Sequence, residues 1–157
     1  MVSGDEFRLV MRHVPAPVAV VTVTVDGRHT GLTLASLVSL SLAPPLVGFA
    51  IRRDAALHEL LREGREHAIS ILSAGQEHLA QHFARGVPPI ALWENVPLRD
   101  ADGPPQLEGA AAWLGCRLEQ EHPAGDHTFF VAAVERAEPG PGATRPLVYH
   151  GQAYAAL

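Results

Sequence analysis

The sequence predicts a mainly β fold, an antiparallel barrel or sandwich with a few short helices, on three observations. Runs rich in β-branched residues come in adjacent pairs with tight connections, as on either side of Asp26-Gly27. Helical spacing is confined to three short segments between those runs. No Gly-x-Gly-x-x-Gly stands at a strand-to-helix turn and no Gly-rich loop ends in Lys-Ser or Lys-Thr, which speaks against a parallel sheet of the Rossmann or P-loop kind.

The elements follow in order. Ser3-Gly-Asp-Glu6 has the spacing of a capping box, and Phe7, Val10, Met11 and Val14 recur at helical intervals, so the chain opens with an amphipathic helix that Pro15 and Pro17 end. Val18 to Val25 is a β-branched strand, Asp26-Gly27 a hairpin signal, and Gly31 to Leu42 a return strand stopped by Pro44-Pro45. Leu46 to Ile51 gives a further strand. Asp54 then caps a helix running to about Arg62, with Leu57, Leu60 and Leu61 as its apolar stripe. Ala68 to Leu72 returns to strand. Ser73-Ala-Gly-Gln76 repeats the capping-box spacing before Leu79, Ala80 and Phe83, in a helix that runs out at Gly86 and Pro88-Pro89. Residues 86–109 hold five prolines and little periodicity, and so long an irregular stretch is more often functional or interfacial than idle. Ala110 to Glu121 and Thr128 to Glu135 form a long hairpin, and Pro146 to Tyr149 a last short strand.

At 157 residues, with 47% apolar and 18% charged residues, the chain is expected to form one globular domain, 1–157, and is not of disordered composition. A net charge of −5 with only 12 Lys and Arg argues against a nucleic-acid partner. No apolar run approaches membrane-spanning length and no charged-then-apolar leader opens the chain, so no membrane partner and a cytoplasmic location are expected. The lone cysteine, Cys116, lies in a strand pattern where a buried, unreactive thiol is the usual role. His78 and His82 stand one helical turn apart, but no Glu follows the first His and no third ligand is evident, so they are read as exposed helix residues and no metal site is assigned.

The segment from Gly31 to Val47 carries the strongest functional signal. Period-2 alternation sets Thr33, Ala35, Leu37, Ser39 and Ser41 on one face of an extended segment, a face nearly free of bulk. A sheet face without large side chains admits a flat ligand, and its hydroxyls can bond the ligand's polar edge. The plain alternative is a solvent-exposed strand face.

The order of these signals resembles the short-chain flavin reductases of two-component monooxygenase systems, members of the FMN-binding split-barrel superfamily. The resemblance runs almost end to end. It rests on Phe7-Arg8 and Met11, Val20-Val21-Thr22, and Gly31-x-Thr33-x-x-Ser36-x-x-Ser39-x-Ser41-x-x-Pro44-Pro45. It continues in Ile69-Ser70-Ile71-Leu72 with Gln76, Phe83-Ala84, Gly125-Asp126-His127, and Pro146-Leu147-x-Tyr149 with Gly151 and Tyr154.

The resemblance implies a six-stranded antiparallel split β-barrel of Greek-key type, a homodimer with FMN or FAD at the subunit interface, and NADH or NADPH as hydride donor. It also implies a flavin-dependent monooxygenase as the partner that accepts the reduced flavin. Two cofactors that exchange a hydride need only be stacked and held by the protein, so the lack of a nucleophile or carboxylate pair fits. By the same resemblance Thr33, Leu34, Ala35 and Ser36 cradle the flavin, with Ser39 and Ser41 continuing along the strand. Phe83, Ala84 and Arg85 give a second flavin contact, Arg85 within reach of phosphate. Gly125, Asp126 and His127 stand beside the nicotinamide, His127 as the catalytic residue, with Tyr149 on the same side. For Phe83, His127 and Tyr149 taken alone, core packing or turn closure is an equal or better account. One departure concerns the phosphate: relatives carry hydroxyls where this chain has Ala55 and Leu57, and Arg52 and Arg53 with the following helix's first N–H groups are the substitutes. The competing function is a dimeric split-barrel protein that carries flavin without turning over NAD(P)H.

Overall fold

Β-branched residues from Ala19 onward build an inner strand of the main sheet in the computed structural model, which describes residues 1–85 and 88–157. The chain order is α1 (Gly4–Met11), β1 (Ala16–Pro17), β2 (Ala19–Val25), β3 (Arg28–Leu34), β4 (Val38–Leu42), β5 (Pro45–Arg52), α2 (Ala56–Gly64), β6 (Glu66–Ile71), α3 (Glu77–Ala84), β7 (Ala112–Ala124), β8 (His127–Pro139), β9 (Leu147–His150) and β10 (Ala153–Ala156). A seven-stranded sheet has the order β3-β2-β6-β7-β8-β5-β4, and a three-stranded sheet the order β1-β9-β10, with antiparallel pairing throughout.

Both faces of β2 are buried, and its alternation divides the interior in two. Ala19, Val21 and Val23 pack with Phe49, Ile51, Leu61, Ile69 and Phe130 in the larger core. Val20 packs with its neighbour Val18 and with Leu72, Leu79, Phe83, Leu107 and Leu147 in the smaller one, between the sheet and α3. Asp26 and Gly27 both have positive φ, 51° and 73°, as the turn of a tight hairpin requires.

The capping box at α1 forms as the sequence predicts: Glu6 N–H donates to Ser3 Oγ at 3.2 Å and Ser3 N–H to the Glu6 carboxylate at 2.8 Å. No residue of α1 is buried, however, and Phe7, Leu9, Val10 and Met11 stand in solvent.

Four expectations need correction. The return strand expected over Gly31–Leu42 is two strands on opposite edges of the sheet, β3 beside β2 and β4 beside β5. At the bend between them the Ser36 hydroxyl accepts from Ala50 N–H (2.9 Å) and donates to Ala50 O (3.2 Å), doing the work of a backbone pair. Asp54 does not cap α2; its carboxylate takes two bonds from Arg52, at 3.0 and 2.6 Å, and the N-cap is Ala55, without a side-chain bond. Ser73 does not cap α3 either, because the helix starts at Glu77 with Gln76 as N-cap. Gln76 still reaches back to Ser73 N–H (3.0 Å), and its amide N–H donates to Glu108 O (2.8 Å). Finally, His82 is half-buried, its Nε2 bonded to Leu92 O at 2.7 Å, and only His78 is exposed. Gly86, where the sequence ends α3, lies outside the described residues; Ala84 is the last helical residue.

The proline-rich stretch is strapped down at several points. Thr22 Oγ1 donates to Pro105 O (2.6 Å), Leu107 N–H to Ser70 Oγ (3.0 Å), Trp113 Nε1 to Leu107 O (2.8 Å) and Trp93 Nε1 to His29 O (2.9 Å). Among the described residues no helix is long and apolar enough to cross a membrane.

Candidate functional site

Two clefts that share a wall gather most of the residues singled out in the sequence. The first, about 380 Å³, is bounded by Leu32, Thr33 and Leu34 of β3, Ala35 and Ser36 of the bend, Ala50, Ile51 and Arg52 of β5, Ala55, and His127. The second, about 410 Å³, takes Thr30, Gly31 and Leu32 of β3, Asp54 to Leu57 at the start of α2, Phe83 and Ala84 at the end of α3, and Pro88, Pro89 and Leu92 of the strap. Leu32 and Ala55 belong to both.

The floor is flat because its side chains are small or already committed. Ala35, Ala50 and Ala55 present only methyl groups. The Thr33 hydroxyl donates to Ala80 O at 2.6 Å, tying β3 to α3, and the Ser36 hydroxyl holds Ala50. These hydroxyls therefore build the cradle. β3 pairing stops at Leu34, so the main chain at Ala35 and Ser36 lines the cleft beyond the end of the ladder, a source of donors and acceptors for a planar ligand's edge. Close packing of the second wall requires Gly31, since a Cβ there would lie 2.9 Å from the Phe83 ring.

His127 enters from the other side. The hairpin of β7 and β8 turns on Gly125 and Asp126, with Ala124 paired to His127; Gly125 at φ 60° supplies the positive φ of a type II′ turn. His127 is thereby the first residue of β8, opposite Arg52 in register. Arg53 N–H donates to Asp126 O at 3.1 Å, fastening the turn to β5. The Asp126 carboxylate lies 2.7 Å from His127 Nδ1. That bond, then the imidazole's charge, hold Asp126 below the usual carboxylate range, so it is an ionised acceptor for Nδ1–H.

One further histidine braces this corner. His58, in the first turn of α2 and buried, places Nε2 2.8 Å from the hydroxyl of Thr128, the neighbour of His127, and Nδ1 2.7 Å from the Glu59 carboxylate.

Several expected residues lie elsewhere. Ser39 and Ser41 are on β4, at the opposite edge from β3, and line neither cleft, so they do not continue the cradle. Arg53 and Arg85 are exposed, Arg85 bonded to the Gln81 side chain at 3.3 Å. Tyr149 lies on β9, packed against Tyr154 with ring centroids 5.2 Å apart. Leu32, Ala50 and Leu92 were not singled out by sequence. Ala50 had a usable signal: on β5 the bulky Val47, Phe49 and Ile51 alternate with Gly48 and Ala50, the same bulk-free pattern as on the first segment. Among the described residues no group of His, Cys, Asp and Glu is arranged to hold a metal.

Comparison with known proteins identifies the family. The family described as "Flavin reductase like domain" matches residues 11–157. An NADH:FMN oxidoreductase of Rhodococcus qingshengii is 33% identical over 156 residues, covering 98% of this chain and 81% of that protein. The reductase component of 4-hydroxyphenylacetate 3-monooxygenase from Thermus thermophilus is 34% identical over 154 residues, covering 98% and 96%. Among solved structures, the Streptomyces globisporus C-1027 NADH:FAD oxidoreductase superposes with a TM-score of 0.92 at 33% identity, covering all of this chain and 96% of the other. With its matched span running from Met11 to the last residue, this chain belongs to the flavin reductase like domain family.

Proposed function

We propose that this chain is an NADH-dependent flavin reductase, reducing FMN or FAD and releasing the product to a separate flavin-dependent monooxygenase. The observation that carries the proposal is one cleft that joins the bend at Ala35–Ser36, the small-residue face of β5 and His127. Relatives that are themselves NADH-dependent reductases or monooxygenase reductase components support the same reading.

The residues present fit a flavin. Ala35, Ala50 and Ala55 leave a flat surface for a fused ring, and the main chain at Ala35 and Ser36 supplies donors and acceptors at its edge. Phe83 and Ala84 close the second cleft, where the ribityl chain and phosphate would lie. Arg52 is engaged by Asp54, so the phosphate is left to the N–H groups of the first turn of α2, with the exposed Arg53 and Arg85 as counter-charges. The hydride chemistry would be supplied by the bound flavin and nicotinamide themselves. His127, its Nδ1 held by Asp126 beside Gly125, offers Nε2 to the carboxamide or pyrophosphate of NADH and sets the approach of the donor. NADPH is the variant donor that the same contacts admit. Tyr149 is assigned to this site through a second subunit, because on its own subunit it lines neither cleft.

The architecture is read as a split barrel. β3 and β4 are consecutive in the chain yet occupy the two edges of the sheet, and as one bent strand they make six strands with β2, β6, β7, β8 and β5. The whole of 1–157 is read as one domain, working as a homodimer in the cytoplasm. Cys116, buried with its thiol pushed up to about 12, makes no demand for an oxidising compartment.

The test is NADH oxidation followed by absorbance with and without added FMN or FAD. Turnover that requires free flavin is the expected result. Flavin binding without turnover would instead identify a carrier.

A further inference from the structure

A third cavity continues the two clefts and has no part in the function proposed above. It holds about 480 Å³ between α2 and the β2–β3 hairpin, and it joins the second cleft through Thr30, Ala56 and Pro89. The three cavities follow one track: along β3 the shared wall moves from Leu32 to Thr30, and along α2 from Ala55 to Ala56. His127 stands at one end of that track and this slot at the other.

We infer that the slot receives the adenosine half of FAD, which makes FAD the preferred flavin of this chain. The inference rests on the flavin-reductase reading and adds the choice between the two flavins. Val25, Ala56 and Leu60 give apolar walls that suit the faces of a purine. Asp26 and Glu63 supply carboxylate acceptors for an exocyclic amine or ribose hydroxyls, and Arg28 a guanidinium for the pyrophosphate. FMN ends at its phosphate, in the second cleft, and leaves the slot empty. NADH carries the same adenosine diphosphate group; FAD is favoured because the slot adjoins, through Thr30, Ala56 and Pro89, the cleft assigned to the flavin phosphate, and the competition measurement below separates the two ligands.

The experiment is equilibrium titration of the purified protein with FMN, FAD and adenosine diphosphate by flavin fluorescence, on wild type, Val25→Trp and Leu60→Trp. Neither substituted residue lines the first two clefts, and each indole would fill the slot. Wild type is expected to bind FAD about tenfold more tightly than FMN, with that ratio falling to near one in both variants. Adenosine diphosphate should displace FAD but leave FMN bound, and this wild-type measurement decides the matter if a variant fails to fold. An equal affinity of wild type for both flavins, or an unchanged ratio in folded variants, overturns the inference while leaving the reductase reading intact. So does adenosine diphosphate that competes with NADH and not with FAD. Failure of wild type to bind either flavin overturns both.

Discussion

With Nδ1 held by the Asp126 carboxylate at 2.7 Å, His127 has Nε2 as the ring nitrogen available to a ligand. Truncating it in His127→Ala removes one charge-assisted or neutral hydrogen bond to the hydride donor. Steady-state kinetics should show kcat/KM for NADH falling about 10–100-fold, the equivalent of roughly 1.5–3 kcal/mol, with flavin affinity nearly unchanged. An equal loss of flavin affinity would mean that His127 shapes the cradle instead. A second histidine belongs to stability. His67 is 1% exposed, its ring edge-on to Phe49; Nδ1 lies 3.1 Å from Arg65 O, and Nε2 has no hydrogen-bond partner among the described residues. Burial pushes it down to about 4, against the small opposing effect of the Arg65 carbonyl. Between that value and the ordinary 6.5 the unfolded chain binds a proton that the folded chain refuses. Stability is therefore fully present above pH ~6.5 and declines as pH falls toward ~4, by about 3 kcal/mol in all. Denaturant melts at a series of pH values should show that slope, and His67→Leu should flatten it.

At the scale of elements, β3, the bend and β5 make the site by keeping their side chains small. Ala50 has its neighbours Phe49 and Ile51 buried in the core, so Ala50→Leu projects bulk into the cleft and not into the interior. The variant should melt within about 1 kcal/mol of wild type, yet its flavin dissociation constant should rise tenfold or more. A large loss of stability with flavin binding intact would show that Ala50 faces the core. Much of this was legible in the sequence. The capping box at Ser3, the Asp26-Gly27 turn, the Gly125-Asp126-His127 turn and the β-branched strand before Asp26 depend on neighbours in the chain, and all lie where local rules put them. The break after Leu34 was not legible, since alternation is the same for one strand as for two and only the long-range Ser36–Ala50 bonds mark the bend. Asp54 deceived for a similar reason: the capping pattern was present, but the Arg52 guanidinium competed for the carboxylate and won. β1 pairs with β9 from the far end of the chain, a contact that no local pattern announces, whereas β10 returns on β9 through the two-residue turn Gly151-Gln152, both at positive φ.

On the scale of the whole molecule, α1 and β4 are two elements that carry exposed apolar stripes among the described residues. α1 has eight residues and none buried, with Phe7 58% and Val10 67% exposed. A helix so short is marginal in water on its own, and its capping box adds about 1 kcal/mol, too little to hold it in place. β4 is a sheet edge with Val38, Leu40 and Leu42 exposed, an arrangement that monomeric proteins guard against with charge or proline. Both are accounted for if a second copy covers them, in the homodimer proposed above. That second copy would also complete the site: the cleft of one subunit holds Ala35, Ala50 and His127 but lacks Tyr149, which its own fold keeps on the small sheet. Val10→Asp places a carboxylate on the exposed stripe without touching either cleft. Sedimentation should then show wild type as a dimer and the variant as a monomer at micromolar concentration, with flavin affinity falling about tenfold alongside dissociation. If Val10→Asp becomes monomeric while binding flavin as wild type does, the dimer stands and the shared site falls. If wild type is itself a monomer, the homodimer falls, and the monooxygenase proposed above is the first alternative partner to test against α1 and β4.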